Sequence, residues 1–93
     1  MYKVNEYYDG KIKSLSFEMP DGPASVGVIA IGEYEFGTST KEFLTVTSGK
    51  LIIKEEESPE WIEYGPNETF VIDANKKFYI KAEEITSYLC LYR

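Results

Sequence analysis

The sequence contains no histidine and only one cysteine, Cys90. Without histidine, the chain lacks the commonest transition-metal ligand and the commonest general acid, so we expect chemistry that uses no metal and no other cofactor. One cysteine cannot form an internal disulfide, and this favours a location in the reducing cytoplasm.

Basic clusters and long apolar runs are also missing. The 93 residues carry 10 Lys and Arg against 16 Asp and Glu, a net charge of −6. This balance argues against a nucleic acid polymer as partner, and no Lys/Arg block indicates an anionic membrane. No apolar stretch is as long as a signal peptide or a bilayer span. We therefore expect one small cytoplasmic domain over residues 1–93, with neither kind of partner.

No helical period occurs anywhere in the sequence. Tyrosine, phenylalanine, valine and isoleucine dominate its apolar residues, which favours strands. Turn signals such as Asp9-Gly10 and Ser48-Gly49 separate the segments of strand character. Strands are predicted over 11–18, 24–31, 33–36, 43–47, 51–54, 60–64, 69–72, 78–82 and 86–92. This pattern is typical of an all-β sandwich or barrel.

Two of the predicted strands have unusual faces. In 11–18 the apolar residues change parity, which a bulge or a change of face near Ser14 would explain. In 24–31 both faces are apolar, with Val26 and Val28 on one and Ile29 on the other. Because so small a protein cannot cover both faces of one sheet, we expect a homodimer, with Leu89 and Leu91 also contributing apolar surface.

The stretch from Gly32 to Gly49 carries the clearest motif. A glycine, the carboxylate of Glu42, six residues and a closing glycine resemble the first motif of the cupin barrels, in which two histidines and a glutamate hold a metal. Thr38 and Thr40 stand near the histidine places of that motif, and only Glu42 and Gly49 match it. A second cupin motif is matched around residues 67–76 by position more than by identity.

The whole chain is also similar to one particular cupin family. The matching segments are 5–7, 10–11, 24–28, 32–34, 45–46, 48–49, 74–75 and 87–90, together with single residues between them. They resemble the small cupin-type pyrimidine/purine nucleoside phosphorylases. The resemblance implies a cupin-type antiparallel β-barrel, also called a double-stranded β-helix or jelly roll. It also implies a broad-specificity enzyme that converts a nucleoside and inorganic phosphate into a free base and ribose 1-phosphate.

Such a reaction needs groups that bind the ribose, the base and the phosphate. Glu42 is the candidate catalytic residue, since its carboxylate can accept ribose hydroxyls and favour a cationic transition state. The remaining candidates follow from the chemistry of their side chains. They are Tyr7, Phe36, Phe70, Phe78 and Tyr88 for the base, the hydroxyls of Ser25, Thr38, Thr40 and Thr45 for substrate contacts, and Lys11, Lys13 and Ser39 for phosphate.

Two other functions are compatible with the sequence. A non-catalytic cupin module could bind a sugar or small metabolite on its aromatic side chains. A metal-dependent dioxygenase or isomerase is more distant, since the histidines of the motif are absent. In a phosphorylase without histidine, the leaving base would be protonated by water, by Glu42 or by a tyrosine hydroxyl.

Overall fold

Ten β-strands and no helix make up the fold in the computed structural model, which describes all residues from Met1 to Arg93. The strands are β1 (Lys3–Tyr7), β2 (Ile12–Met19), β3 (Gly22–Ile29), β4 (Gly32–Gly37), β5 (Glu42–Ser48), β6 (Leu51–Glu55), β7 (Ile62–Tyr64), β8 (Thr69–Ile72), β9 (Lys77–Ala82) and β10 (Thr86–Tyr92). The prediction of an all-β chain is confirmed. A helix capable of crossing a membrane is accordingly not found.

The strands form two antiparallel sheets. One has the order β1-β2-β3-β10-β5-β8 and the other has the order β4-β9-β6-β7. Among the last eight strands, β3 pairs with β10, β4 with β9, β5 with β8 and β6 with β7. The chain from β3 to β10 is thus one long hairpin folded over on itself, which is the strand order of a jelly roll.

A hydrophobic core of 14 buried residues lies between the two sheets. The strand ladders stay within each sheet, so the structure describes a two-layer sandwich of the jelly-roll type. Hydrogen-bonded closure into a complete barrel, as the sequence resemblance implied, stays a prediction.

Strand β2 pairs regularly with both neighbours and keeps its alternation through Ser14, so the predicted bulge or change of face there is wrong. Ile12 and Ser14 face the core, whereas Leu15 and Phe17 lie on the outer face of the six-stranded sheet. The apparent change of parity arose because this strand has apolar residues on both faces. Residues 3–7, where no strand was predicted, form edge strand β1 because they pair along β2.

The outer face of the six-stranded sheet is unusually apolar. In register across it lie Val4, Leu15, Val26 and Leu89. Val26 and Val28 remain 38% and 47% exposed. The two-sided apolar character of β3 is therefore present in the fold, and one of its faces is not covered by the chain itself.

The turn between β1 and β2 is fixed to the opposite sheet. Tyr8, Asp9 and Gly10 all have positive φ, which is uncommon for a bulky residue such as tyrosine. The Tyr8 hydroxyl accepts a hydrogen bond from the backbone amide of Glu35 at 3.0 Å and donates one to the carbonyl of the same residue. These two bonds to the edge of β4 hold the hairpin across one end of the sandwich, beside Phe36.

Candidate functional site

A cavity of about 220 Å³ opens between the sheets and contains Glu42. Strand β5 places this carboxylate there by alternation, because Leu44 and Val46 on the same face are buried in the core. Phe43 and Thr45 therefore point the other way. Glu42 also lies directly opposite Tyr92 of β10 in the ladder. The carboxylate is thus held by a central strand of the larger sheet.

The Glu42 carboxylate is in a mostly apolar environment. Burial raises the pKa of its carboxyl group, and a hydrogen bond from the Cys90 thiol opposes that rise. The Cys90 Sγ atom is 3.6 Å from Glu42 Oε1. Burial, and then the charge of Glu42, raises the pKa of Cys90 to about 12, so the thiol is protonated and acts as the donor.

Two tyrosine side chains, Tyr88 and Tyr92, also line the cavity from β10. Burial is the main cause that raises the pKa of Tyr88, to about 12, and it likewise raises the pKa of Tyr92. Both phenols therefore keep their protons at neutral pH. The Tyr88 ring lies against the backbone of Gly27, where an added Cβ atom would be 2.6 Å from the Tyr88 hydroxyl. A glycine is needed at this position for the ring to fit.

Three aromatic candidates from the sequence line the cavity together. Phe36 and Phe78 stack with ring centroids 5.8 Å apart, and the Tyr7 ring meets Phe36 edge-on at 6.3 Å. Tyr7 is 44% exposed, so it marks the open end of the cavity. Phe70 is buried behind this group, where it packs against Phe78 and Tyr64 and does not line the cavity.

Several hydroxyl candidates have structural partners instead. The hydroxyl of Thr38 donates to the Asp73 carbonyl at 2.7 Å and accepts from the Lys76 amide, which ties the β4–β5 loop to the β8–β9 turn. Thr45 lies on the outer face, where its hydroxyl meets that of Thr69. Ser25 is almost fully buried and lies 2.7 Å from the Tyr92 hydroxyl, so it touches the cavity only through that ring.

The phosphate candidates are scattered by the fold. Lys13 is on the outer face beside Glu6, with 4.0 Å between Nζ and the carboxylate, and Lys11 is exposed in the preceding turn. Neither lysine is brought to the cavity. Ser39 and Thr40 are exposed in the loop that joins β4 to β5, next to the cavity residues Gly37 and Glu42.

Ser14, Cys90 and Tyr92 also line the cavity and were not among the sequence candidates. Cys90 and Tyr92 share a strand face with Tyr88, so the alternation of β10 was the signal that could have identified them. The lining includes no lysine, arginine or histidine. No group of three histidine, cysteine, aspartate or glutamate side chains converges anywhere as a metal ligand set.

Comparisons with known proteins point to one family. The sequence pattern of a family described as pyrimidine/purine nucleoside phosphorylase matches residues 2–92. A protein of that name from Pseudomonas aeruginosa is 52% identical over 93 residues, which cover 100% of both chains.

The structural comparisons agree in fold. A crystal structure of a protein of unknown function from Vibrio parahaemolyticus matches with a TM-score of 0.94 and 38% identity, covering 97% of this chain and 96% of that one. A cupin superfamily protein from Desulfitobacterium hafniense matches with a TM-score of 0.75 and 15% identity, covering 95% and 82%. The second likeness supports a cupin-like fold.

Proposed function

The chain belongs to the pyrimidine/purine nucleoside phosphorylase family, and we propose that its inner cavity is where phosphorolysis takes place. The protein is an enzyme that converts a nucleoside and phosphate into a free base and ribose 1-phosphate. Because the pentosyl group moves to phosphate, the reaction is a glycosyl transfer. The observation that supports this site is the carboxylate of Glu42 inside an aromatic-lined cavity.

Glu42 is assigned to the ribose. As the bond between the anomeric carbon and the base breaks, the sugar gains oxocarbenium-like positive charge. A carboxylate in a cavity of low polarity stabilises that charge more strongly than it would in water. Its Oε1 atom already accepts the Cys90 thiol, so the other oxygen is the one free for ribose hydroxyls. No other charged side chain lines the cavity to compete with it.

The base is assigned to the aromatic end. Phe36, Phe78 and Tyr7 present flat or edge-on rings at the open side of the cavity. Aromatic stacking tolerates different bases because every base has a π face, which suits a broad substrate range. At about 220 Å³ the cavity is smaller than common ligand pockets of roughly 300–1,000 Å³. Part of the substrate complex therefore lies at the mouth.

Phosphate is assigned to that mouth, at the loop joining β4 to β5. The backbone amides of Ser39, Thr40 and Lys41 donate no hydrogen bond within the chain. The Lys41 ammonium forms no ion pair and lies 5.5 Å from the ring centroid of Phe43, on the outer side of β5, so its flexible side chain has to turn towards the loop to meet the anion. Free amides and a nearby cation are what an anion needs. The loop also leads directly into Glu42, which keeps the phosphate close to the ribose.

The activity is tested by incubating the purified protein with uridine or inosine, with and without inorganic phosphate. We expect release of free base and formation of ribose 1-phosphate only when phosphate is present. Base release that continues without phosphate would indicate a hydrolase. Nucleoside binding without any turnover would support the non-catalytic sugar-binding alternative.

The assembly is proposed to be a homodimer formed through the outer face of the six-stranded sheet. Val26, Val28 and Leu89 lie together on this face, and their own chain covers them only in part. Burying such a patch against a second copy removes apolar surface from water. Light scattering at micromolar concentration should give the dimer mass for the wild type and the monomer mass for Val28→Lys. A monomeric wild type would contradict this proposal.

A cytoplasmic location is the remaining proposal, supported by the single unpaired thiol of Cys90. Cell fractionation with an antibody against the protein would test it, and recovery in a membrane or secreted fraction would contradict it.

A further inference from the structure

The cavity contains a proton donor that can face either the protein or a ligand. Tyr92 Oη and Ser25 Oγ are 2.7 Å apart, and either oxygen can be the donor. When the cavity is empty, Tyr92 can donate to Ser25. When a ligand offers an acceptor, Ser25 can donate to Tyr92, and the phenol proton is then free to point into the cavity. Neither hydroxyl is left without a partner in either arrangement.

Tyr92 is also close to the residue assigned to the ribose. It lies directly opposite Glu42 in the ladder between β10 and β5, where paired Cα atoms are separated by about 4.5–5.5 Å. The Ser25 contact draws the phenol toward β3, on the other side of β10. A nucleoside whose ribose meets Glu42 can place the base end of its glycosidic bond towards Tyr92, the neighbouring cavity side chain on β10.

All common nucleosides carry an acceptor at that end. Pyrimidines have O2 and purines have N3 next to the glycosidic bond, on the same edge of the base. Most other polar positions differ between the two classes. A single donor aimed at this edge can therefore serve both classes, whereas a donor aimed at any other edge would select one of them.

We propose that Tyr92 donates a hydrogen bond to pyrimidine O2 or purine N3, and that Ser25 is the positioning residue that frees its proton. This inference rests on the proposed function of the cavity. When phosphate attacks the anomeric carbon, the bond to the base breaks and its electron pair stays on the base. The negative charge spreads onto O2 or N3, where the Tyr92 bond stabilises it, and the base then takes its proton from water.

The raised pKa of Tyr92, caused first by burial, keeps the donor protonated over the neutral range. The groups around it are Ser25, Cys90 and Glu42, and only the last is charged near neutral pH. The expected loss of kcat/KM for a base without the acceptor is limited because the Tyr92 hydroxyl can then donate to Ser25. Because Tyr92 can return to that partner when the acceptor is missing, no polar group is orphaned. The loss should therefore be about 10- to 100-fold, the scale of a hydrogen bond to a developing charge.

The test compares kcat/KM for adenosine, 3-deazaadenosine and 7-deazaadenosine. Each of the two analogues replaces one ring nitrogen by CH, and only 3-deazaadenosine lacks the proposed acceptor. In the wild type, we expect 3-deazaadenosine to be slower than 7-deazaadenosine by about 10- to 100-fold. In Tyr92→Phe, adenosine and 7-deazaadenosine should slow by a similar factor, and 3-deazaadenosine should not, so the ratio between the analogues falls towards one.

Two other variants make the result specific. Tyr79→Phe removes a phenol that lies outside the cavity, and it should keep the wild-type ratio. Tyr88→Phe removes the other cavity phenol. If the ratio between the two analogues falls towards one in Tyr88→Phe and stays at the wild-type value in Tyr92→Phe, the proposal is overturned. A wild type that turns over both analogues equally would also overturn it, a result that needs no variant to fold. A wild type that fails to phosphorolyse any nucleoside would instead refute the proposed function.

Discussion

Replacing Glu42 by glutamine should slow catalysis far more than it disturbs the fold. The change is nearly isosteric, and the amide oxygen can still accept the Cys90 thiol that lies 3.6 Å from Oε1. What disappears is the negative charge next to the ribose. One charged contact of this kind is worth roughly 3 kcal/mol in the transition state, which corresponds to a loss of about a hundredfold in kcat. The KM for uridine should change less.

The assay is steady-state phosphorolysis of uridine, with product followed by chromatography and folding checked by circular dichroism. Glu33→Gln is the matched control, because Glu33 is exposed on β4, outside the cavity. That variant should retain wild-type activity. A Glu42→Gln protein that melts as a folded protein and turns over uridine at the wild-type rate would refute the catalytic assignment.

Three further predictions concern stability and phosphate. Burial raises the pKa of Glu42, so its ionisation destabilises the folded state above that pKa, and this cost vanishes once the pH falls below the pKa of the residue in the unfolded chain. Glu42→Gln should therefore raise the melting temperature at pH 8 and lose that advantage towards pH 4. An equal difference in melting temperature at both pH values would contradict this. Gly27→Ala places a methyl group 2.6 Å from the Tyr88 hydroxyl and should cost about 1–3 kcal/mol, which is roughly 5–20 °C in melting temperature. In Gly37→Ala the new atom would have its nearest neighbour at 3.8 Å, so a similar loss there would refute the steric explanation. Lys41→Ala should raise the KM for phosphate several-fold with little change in the KM for uridine, and an unchanged phosphate KM would remove the loop from the site.

The strand pattern could be predicted from sequence because alternation and turn residues are local signals. The predicted ranges 69–72 and 86–92 agree with β8 and β10. The assignment of faces was harder. On β5, Leu44 and Phe43 are both apolar, so the sequence alone did not show that Thr45 faces outward. Strand β1 was missed because its residues are mostly polar and depend on pairing with β2.

The candidate site was predictable only in part, for a related reason. Glu42 could be singled out by its place in a motif, and Tyr7, Phe36 and Phe78 by their type. Cys90 and Tyr92, by contrast, come from the far end of the chain and reach Glu42 only because β10 lies between β3 and β5. The alternation of β10 shows that both residues share a face with Tyr88, but their nearness to Glu42 is a property of the sheet order, which no local pattern records.

The attachment of Tyr8 to β4 also bears on the risk of aggregation. β4 is an edge strand, and an uncovered edge offers its amides and carbonyls to a strand of another molecule. At Glu35 both backbone groups are occupied by the Tyr8 hydroxyl, so edge-to-edge growth is blocked there in addition to the protection that the Glu35 charge gives. This protection exists only while the first hairpin is docked. A partly unfolded chain that releases residues 1–19 would expose the β4 edge, and self-association during refolding would begin at that strand.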